Sequence, residues 1–152
     1  MKLAEALILR ADTQKRIEQL KQRLQQNAKV QEGDTPAENP AELLAELERI
    51  TTDLTLLIQR INRTNSATPF AQEQTLADAL ALRDVTKIKV SVYRDLAQAA
   101  SITQTRTTRS EVKFRSTISV AEIQQQADRL AKAYRELDAQ IQAANWLTDV
   151  LE

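Results

Sequence analysis

Five carboxylates, Glu5, Asp12, Asp84, Glu111 and Asp138, are the side chains with the clearest chemical potential, because oxygen ligands of this kind hold hard divalent cations. Three of them have arginine close in sequence: Arg10 near Asp12, Arg83 beside Asp84, and Arg135 near Asp138. A guanidinium satisfies a carboxylate through charge-assisted hydrogen bonds, which favours ion pairing over metal coordination. Histidine and cysteine are absent. That removes the imidazole proton shuttle, the thiol nucleophile, the disulfide and the N/S ligand sets of zinc and copper. The six serines have no histidine to act as base and no glycine-flanked nucleophile elbow. Gly33 is the only glycine, so there is no phosphate-cradling loop. These residues predict neither a catalytic site nor a cofactor.

The fate of the charged side chains depends on the elements that position them. Ala, Leu, Gln, Glu, Lys and Arg dominate, and the few breakers fall in clusters that cut the chain into long periodic segments. The pattern predicts an all-α fold: an antiparallel bundle of four long helices in a single domain over 1–152. The helices are expected at about 2–31, 40–62, 73–102 and 119–146, with an extended or β-hairpin arm over 103–117.

The second segment opens with Asn39 as cap, Pro40 at the first helical position and Glu42 three residues after the cap. Leu43, Leu47, Ile50, Leu54, Leu57 and Ile61 then form a heptad seam, widened by Leu44 and Ile58. The last segment repeats the pattern behind Ser119 and Glu122, with Val120, Ile123, Ala127, Leu130, Tyr134, Leu137, Ile141 and Ala144 in line. In the first segment the same frame runs through Leu3, Ala6, Arg10, Thr13, Ile17, Leu20, Leu24 and Asn27, which puts Arg10 on the seam. In the third, Leu76, Leu80, Asp84, Ile88, Val92 and Leu96 recur at steps of four, which puts an acid in an apolar row. Charges on core-facing rows need partners. Arg10, Asp84, Arg135 and Asp138 are therefore expected in the core or a subunit interface, with Arg10 and Asp84 in one polar network.

Thr103 to Thr117 departs from this pattern, being rich in β-branched residues and alternating at Val112, Phe114 and Ile118. Arg106, Arg109, Lys113 and Arg115 face one acid, Glu111. With a single aromatic and no base-stacking pattern, nucleic acid is not the expected partner. Arg109, Glu111, Lys113 and Phe114 instead predict an arm for assembly. Trp146, the only tryptophan, is expected to close the end of a core.

The chain has 152 residues, enough for one core, and its 21 basic residues balance 21 acidic ones. No global field draws it to nucleic acid or an anionic membrane, and a neutral chain self-associates more readily than a charged one. The uncharged stretch between Glu5 and Arg10 is too short for a secretory core, and no apolar run approaches the length of a membrane span. A soluble cytoplasmic protein is expected.

Several phrases in fixed order carry a family resemblance: Leu3-Ala4-Glu5-Ala6-Leu7, Asn27-Ala28-Lys29-Val30-Gln31-Glu32-Gly33, Ile61-Asn62-Arg63-Thr64-Asn65, Arg109-Ser110-Glu111-Val112-Lys113-Phe114, Tyr134-Arg135-Glu136-Leu137-Asp138 and Asn145-Trp146. Together they resemble the septicolysin family of small bacterial proteins over essentially the whole chain. The resemblance implies a bundle of long helices in a homo-oligomer, with a hexamer among the possible orders, and it implies no particular reaction. The sequence is read as a non-enzymatic structural or interaction module. Two alternatives remain open: a membrane-active cytolysin, as the family name implies, and a carboxylate-based divalent-metal protein.

Overall fold

The computed structural model describes residues 1–102 and 112–152. It contains four helices among those residues: α1 (Leu3–Gln26), α2 (Pro40–Ala67), α3 (Leu76–Ala100) and α4 (Val120–Leu147). No named strand occurs among the described residues, so the hairpin expected for the arm is not found. Residues 112–115 are irregular, with Val112 and Phe114 exposed. An alternating segment becomes a stable strand only against partner strands or a packed apolar face, and here its apolar side chains face solvent. Arg106, Arg109 and Glu111 lie outside the described residues.

Two compact units make up the chain, one of Met1–Ala77 with Ala143–Glu152 and one of Asp78–Gln142. In the first, α1 and α2 pack antiparallel around Leu20, Leu43 and Ile50, with Ile17, Leu24 and Leu47 against them. Each fully buried aliphatic side chain contributes about 1.5–3 kcal/mol. Arg16 reaches Glu46 at 2.7 Å across the pair, on the more exposed flank.

Local caps and backbone angles set the helix ends where the expected boundaries differ from the observed ones. The α1 helix ends five residues early because buried Asn27 holds its terminus: Asn27 Nδ2 donates to the Arg23 carbonyl at 2.9 Å, and Asn27 Oδ1 accepts from the Glu38 amide at 3.0 Å. Asn39 Oδ1 accepts from the Ala41 amide at 3.0 Å and Pro40 follows at the first helical position, as the sequence predicts. The α2 helix runs on to Ala67, where Thr68 closes it onto the Thr64 carbonyl. The α3 helix starts at Leu76 rather than Glu73, because Gln72 and Glu73 take left-handed backbone angles, φ 51° and 62°, that a right-handed helix excludes.

Every member of the predicted α1, α2 and α4 seams is buried or half-buried, although Leu44, expected to widen the α2 stripe, is exposed. The α3 helix departs from its predicted row. Its continuous sheltered row is Leu76, Ala79, Arg83, Thr86, Val90, Tyr93 and Ala97, at alternating steps of three and four, with Ala77, Leu80 and Ala100 also half-buried beside it. A row at constant steps of four drifts around the helix, since four residues exceed one turn of 3.6. Starting from buried Leu76, it carries Asp84, Ile88, Val92 and Leu96 to the outside.

Candidate functional site

The charged residues singled out by sequence are mostly satisfied locally. Glu5 accepts the Lys2 amide at 2.7 Å at the start of α1. Asp12 lies 3.9 Å from Lys15 on an exposed turn. Asp84 is exposed and pairs with its neighbour Arg83, so of its two expected places, the core or a subunit interface, the core is corrected by the drift of its row. Arg10 is half-buried and has no ion pair among the described residues, and Arg135 is exposed. Among the described residues no group of three or more acids is placed to hold a metal ion.

Arg83, not Arg10, is the guanidinium that organises a polar network in the Asp78–Gln142 unit. Its Nε and Nη2 each donate to Asp84 at 3.0 Å, and its Nη1 reaches across to Asp138 on α4 at 3.0 Å. Burial works against the charge on Arg83, but hydrogen bonds to Asp84 and then Asp138 outweigh it and raise its pKa. The group stays protonated and neutralises both acids, so this arrangement fixes helix register and leaves no vacant cation site. Its sequence signal was present: Arg83 lies on the same three-four frame as Ala79 and Thr86.

What remains chemically unsatisfied is apolar. The outer side of α3 carries Ala81, Val85, Ile88, Val92, Leu96 and Ala99, a second seam nearly opposite the sheltered one. Ile88 is 63% exposed and Val92 57%. From Val85 to Ala99 the row extends about 21 Å at 1.5 Å per residue. It leads into a cleft of about 470 Å³ in which Leu96 and Ala99 of α3 and Ile102 just beyond it face Phe114 and Ile118, with Arg115 and hydroxyls of Ser101, Ser116 and Thr117 also lining it. Phe114 is 74% exposed. The row and Phe114 together leave on the order of 500 Å² of apolar surface open to water, within the range of the largest patch on an ordinary monomer, which is often functional.

In the other unit, the residues after α4 stitch the chain ends together. The Leu3 amide donates to the Thr148 carbonyl at 2.9 Å, and the Val150 amide to the Met1 carbonyl at 3.0 Å. Lys2 reaches Asp149 at 3.0 Å. Arg60 Nε donates to the Leu151 carbonyl at 3.0 Å. This clasp buries Val150 and leaves Trp146 outside, 55% exposed, beside Leu147 at 79%. Trp146 was expected to close a core end. Ile141 and Asn145 take the buried turns of α4 instead.

No helix of the described residues is long and apolar enough to cross a membrane. The chain belongs to a family of unknown function (DUF6847), whose model matches residues 10–150. It is similar to a functionally unknown conserved protein from Corynebacterium diphtheriae seen in a crystal structure, at 50% sequence identity, with 99% of each chain covered and a TM-score of 0.93. No curated protein matches. Neither the family nor the crystal structure carries the septicolysin name, so the family membership that stands is the one of unknown function.

Proposed function

We infer that the protein is a non-enzymatic, cytoplasmic interaction module that assembles with copies of itself into a helical homo-oligomer. The observation that carries this reading is the outward seam of α3, Val85, Ile88, Val92 and Leu96, continuous with the cleft at Phe114. A seam of this spacing is what one helix presents to another, and leaving it in water forgoes roughly 25 cal/mol for each Å². The zero net charge offers no long-range repulsion between copies. Lys113 and Phe114, both exposed, are the described members of the arm that the sequence assigns to assembly.

The test is the double variant Ile88→Glu/Val92→Glu. Both positions are exposed within the chain, so circular dichroism should keep its helical signal while the oligomeric order falls. An unchanged order in the variant overturns the assignment of this face.

A further inference from the structure

The outer seam of α3 follows a heptad frame. Val85, Val92 and Ala99 take one of its two positions and Ala81, Ile88 and Asp95 the other, with Leu96 at the edge. All seven are exposed. Arg83, on the sheltered row, bonds Asp138 of α4 at 3.0 Å, so α4 packs behind the helix and leaves the seam open within this unit. Asp84 flanks the seam on one side and Lys89 on the other, each about 70° from its centre at 3.6 residues per turn. Lys89 is exposed and makes no ion pair among the described residues. Asp84 is held by Arg83, but both bonds end on Oδ1, which leaves Oδ2 for a second cation.

We propose that the α3 helices of two copies pair in parallel and in register along this seam, about a two-fold axis between them. This rests on the reading of the protein as a self-assembling module and names the partner and direction of its Ile88–Val92 face. Each of Val85, Ile88 and Val92 then packs against its own counterpart. The face from Ala81 to Ala99 is about 27 Å long at 1.5 Å per residue. Its apolar row and polar rim hide roughly 500 Å² on each copy, so two copies bury about 1,000 Å² together, the least that a specific interface requires. The same face serves both copies, and the contact closes at two chains.

The flanking charges set the direction. In a parallel pair each flank faces the opposite flank of the second helix, five residues further on. Asp84 of each copy therefore meets Lys89 of the other, and the two-fold axis makes this contact twice. In an antiparallel pair centred on the seam each flank faces its own kind, which sets Lys89 against Lys89 and brings Asp84 toward Asp95. Asp95 also meets its counterpart in the parallel pair, where the seam opens into the cleft. It confines the dry part of the contact to Ala81–Val92, a cost in stability that polar seam residues exact for a fixed register.

The chain has no cysteine, so single cysteines placed in the full-length protein report the pairing without background. Ala81→Cys and Ala99→Cys mark the two ends of the seam, and Arg94→Cys, far around the helix, is the control; all three positions are exposed. Parallel pairing brings each seam cysteine within disulfide reach of its own kind, at a Cα separation of about 6 Å. After mild oxidation Ala81→Cys and Ala99→Cys should each run as two linked chains on a denaturing gel, and Arg94→Cys as one. Lys89→Glu should weaken association about fivefold in light scattering, and adding Asp84→Lys should restore it, because the swap re-forms both flanking pairs only in the parallel orientation. Circular dichroism checks that each variant keeps its helices. Linkage only between Ala81→Cys and Ala99→Cys in a mixture, linkage of the control as fast as the seam, or no linkage at either seam position from a protein that is multimeric as wild type overturns the parallel pairing and leaves self-assembly standing. So does Lys89→Glu associating like wild type, or a loss that Asp84→Lys does not recover. A wild type that is monomeric at every concentration removes self-assembly itself, and the pairing with it.

Discussion

The amide of Leu151 donates to the side-chain oxygen of Thr64 at 3.0 Å across 87 positions of sequence, and the same hydroxyl donates to the Arg60 carbonyl at 2.8 Å. Thr64 is fully buried. One small polar side chain thereby joins the end of α2 to the segment after α4. Thr64→Val keeps the shape and deletes both bonds. It should lower unfolding free energy by about 1–3 kcal/mol, since the carboxyl-terminal clasp loses its buried acceptor. Urea unfolding followed by circular dichroism measures this. A change within error would show that the clasp is held by Arg60 and the paired chain ends alone.

Arg83 serves two acids from a position that is 22% exposed. Arg83→Met removes the charge and leaves Asp138 with, among the described residues, a long contact to Gln142 at 3.5 Å. The cost should lie between that of an exposed and a buried pair, at about 1–2 kcal/mol. Combining it with Asp138→Leu should recover part of that loss. Strict additivity in the double-mutant cycle would mean that the two side chains do not interact energetically.

Acid should weaken the α1–α2 pair through Glu38. Its carboxylate makes a two-point hydrogen-bonded ion pair with Arg23, with Arg23 Nε at 3.0 Å, and this lowers the Glu38 pKa against a smaller opposing effect of burial. A carboxyl with a lower pKa folded than unfolded contributes stability that is complete above its unfolded value. That contribution is lost as pH falls through the folded value. Wild type should therefore exceed Glu38→Gln in urea midpoint at neutral pH, and the difference should shrink as pH drops below the ordinary glutamate range. A difference independent of pH would rule out the ion pair as its source.

The fold was legible wherever bulky side chains and the sheltered face coincide. In α1, α2 and α4 the large aliphatics occupy the three-four frame, and the predicted seams are the sheltered ones. The α3 helix broke the rule because its sheltered frame uses Ala79, Thr86 and Ala97, while Ile88, Val92 and Leu96 sit outside. Small residues let neighbouring backbones approach, but they carry little hydrophobic signal, so the eye follows the larger row. Following the larger row puts Asp84 on a core-facing line and hides Arg83, whose seam position is the polar centre.

The clasp was not legible for a different reason. Its bonds join backbone groups of Met1, Leu3, Thr148 and Val150, and backbone pairing leaves no pattern in side-chain identity. Trp146 was misread as a consequence: Val150 and the tail close that end of the unit, and the indole is left to the surface. Residues 112–117 of the arm are non-helical, in keeping with the break in periodicity. Its alternation suggested pairing that residues 112–115 do not make.

Self-assembly is tested most directly by the solution mass of the wild-type protein, measured by light scattering on a sizing column at micromolar concentration. The expected result is a discrete species of at least two chains of 17.1 kDa, dissociating on dilution. A single species of 17.1 kDa at every concentration would contradict it.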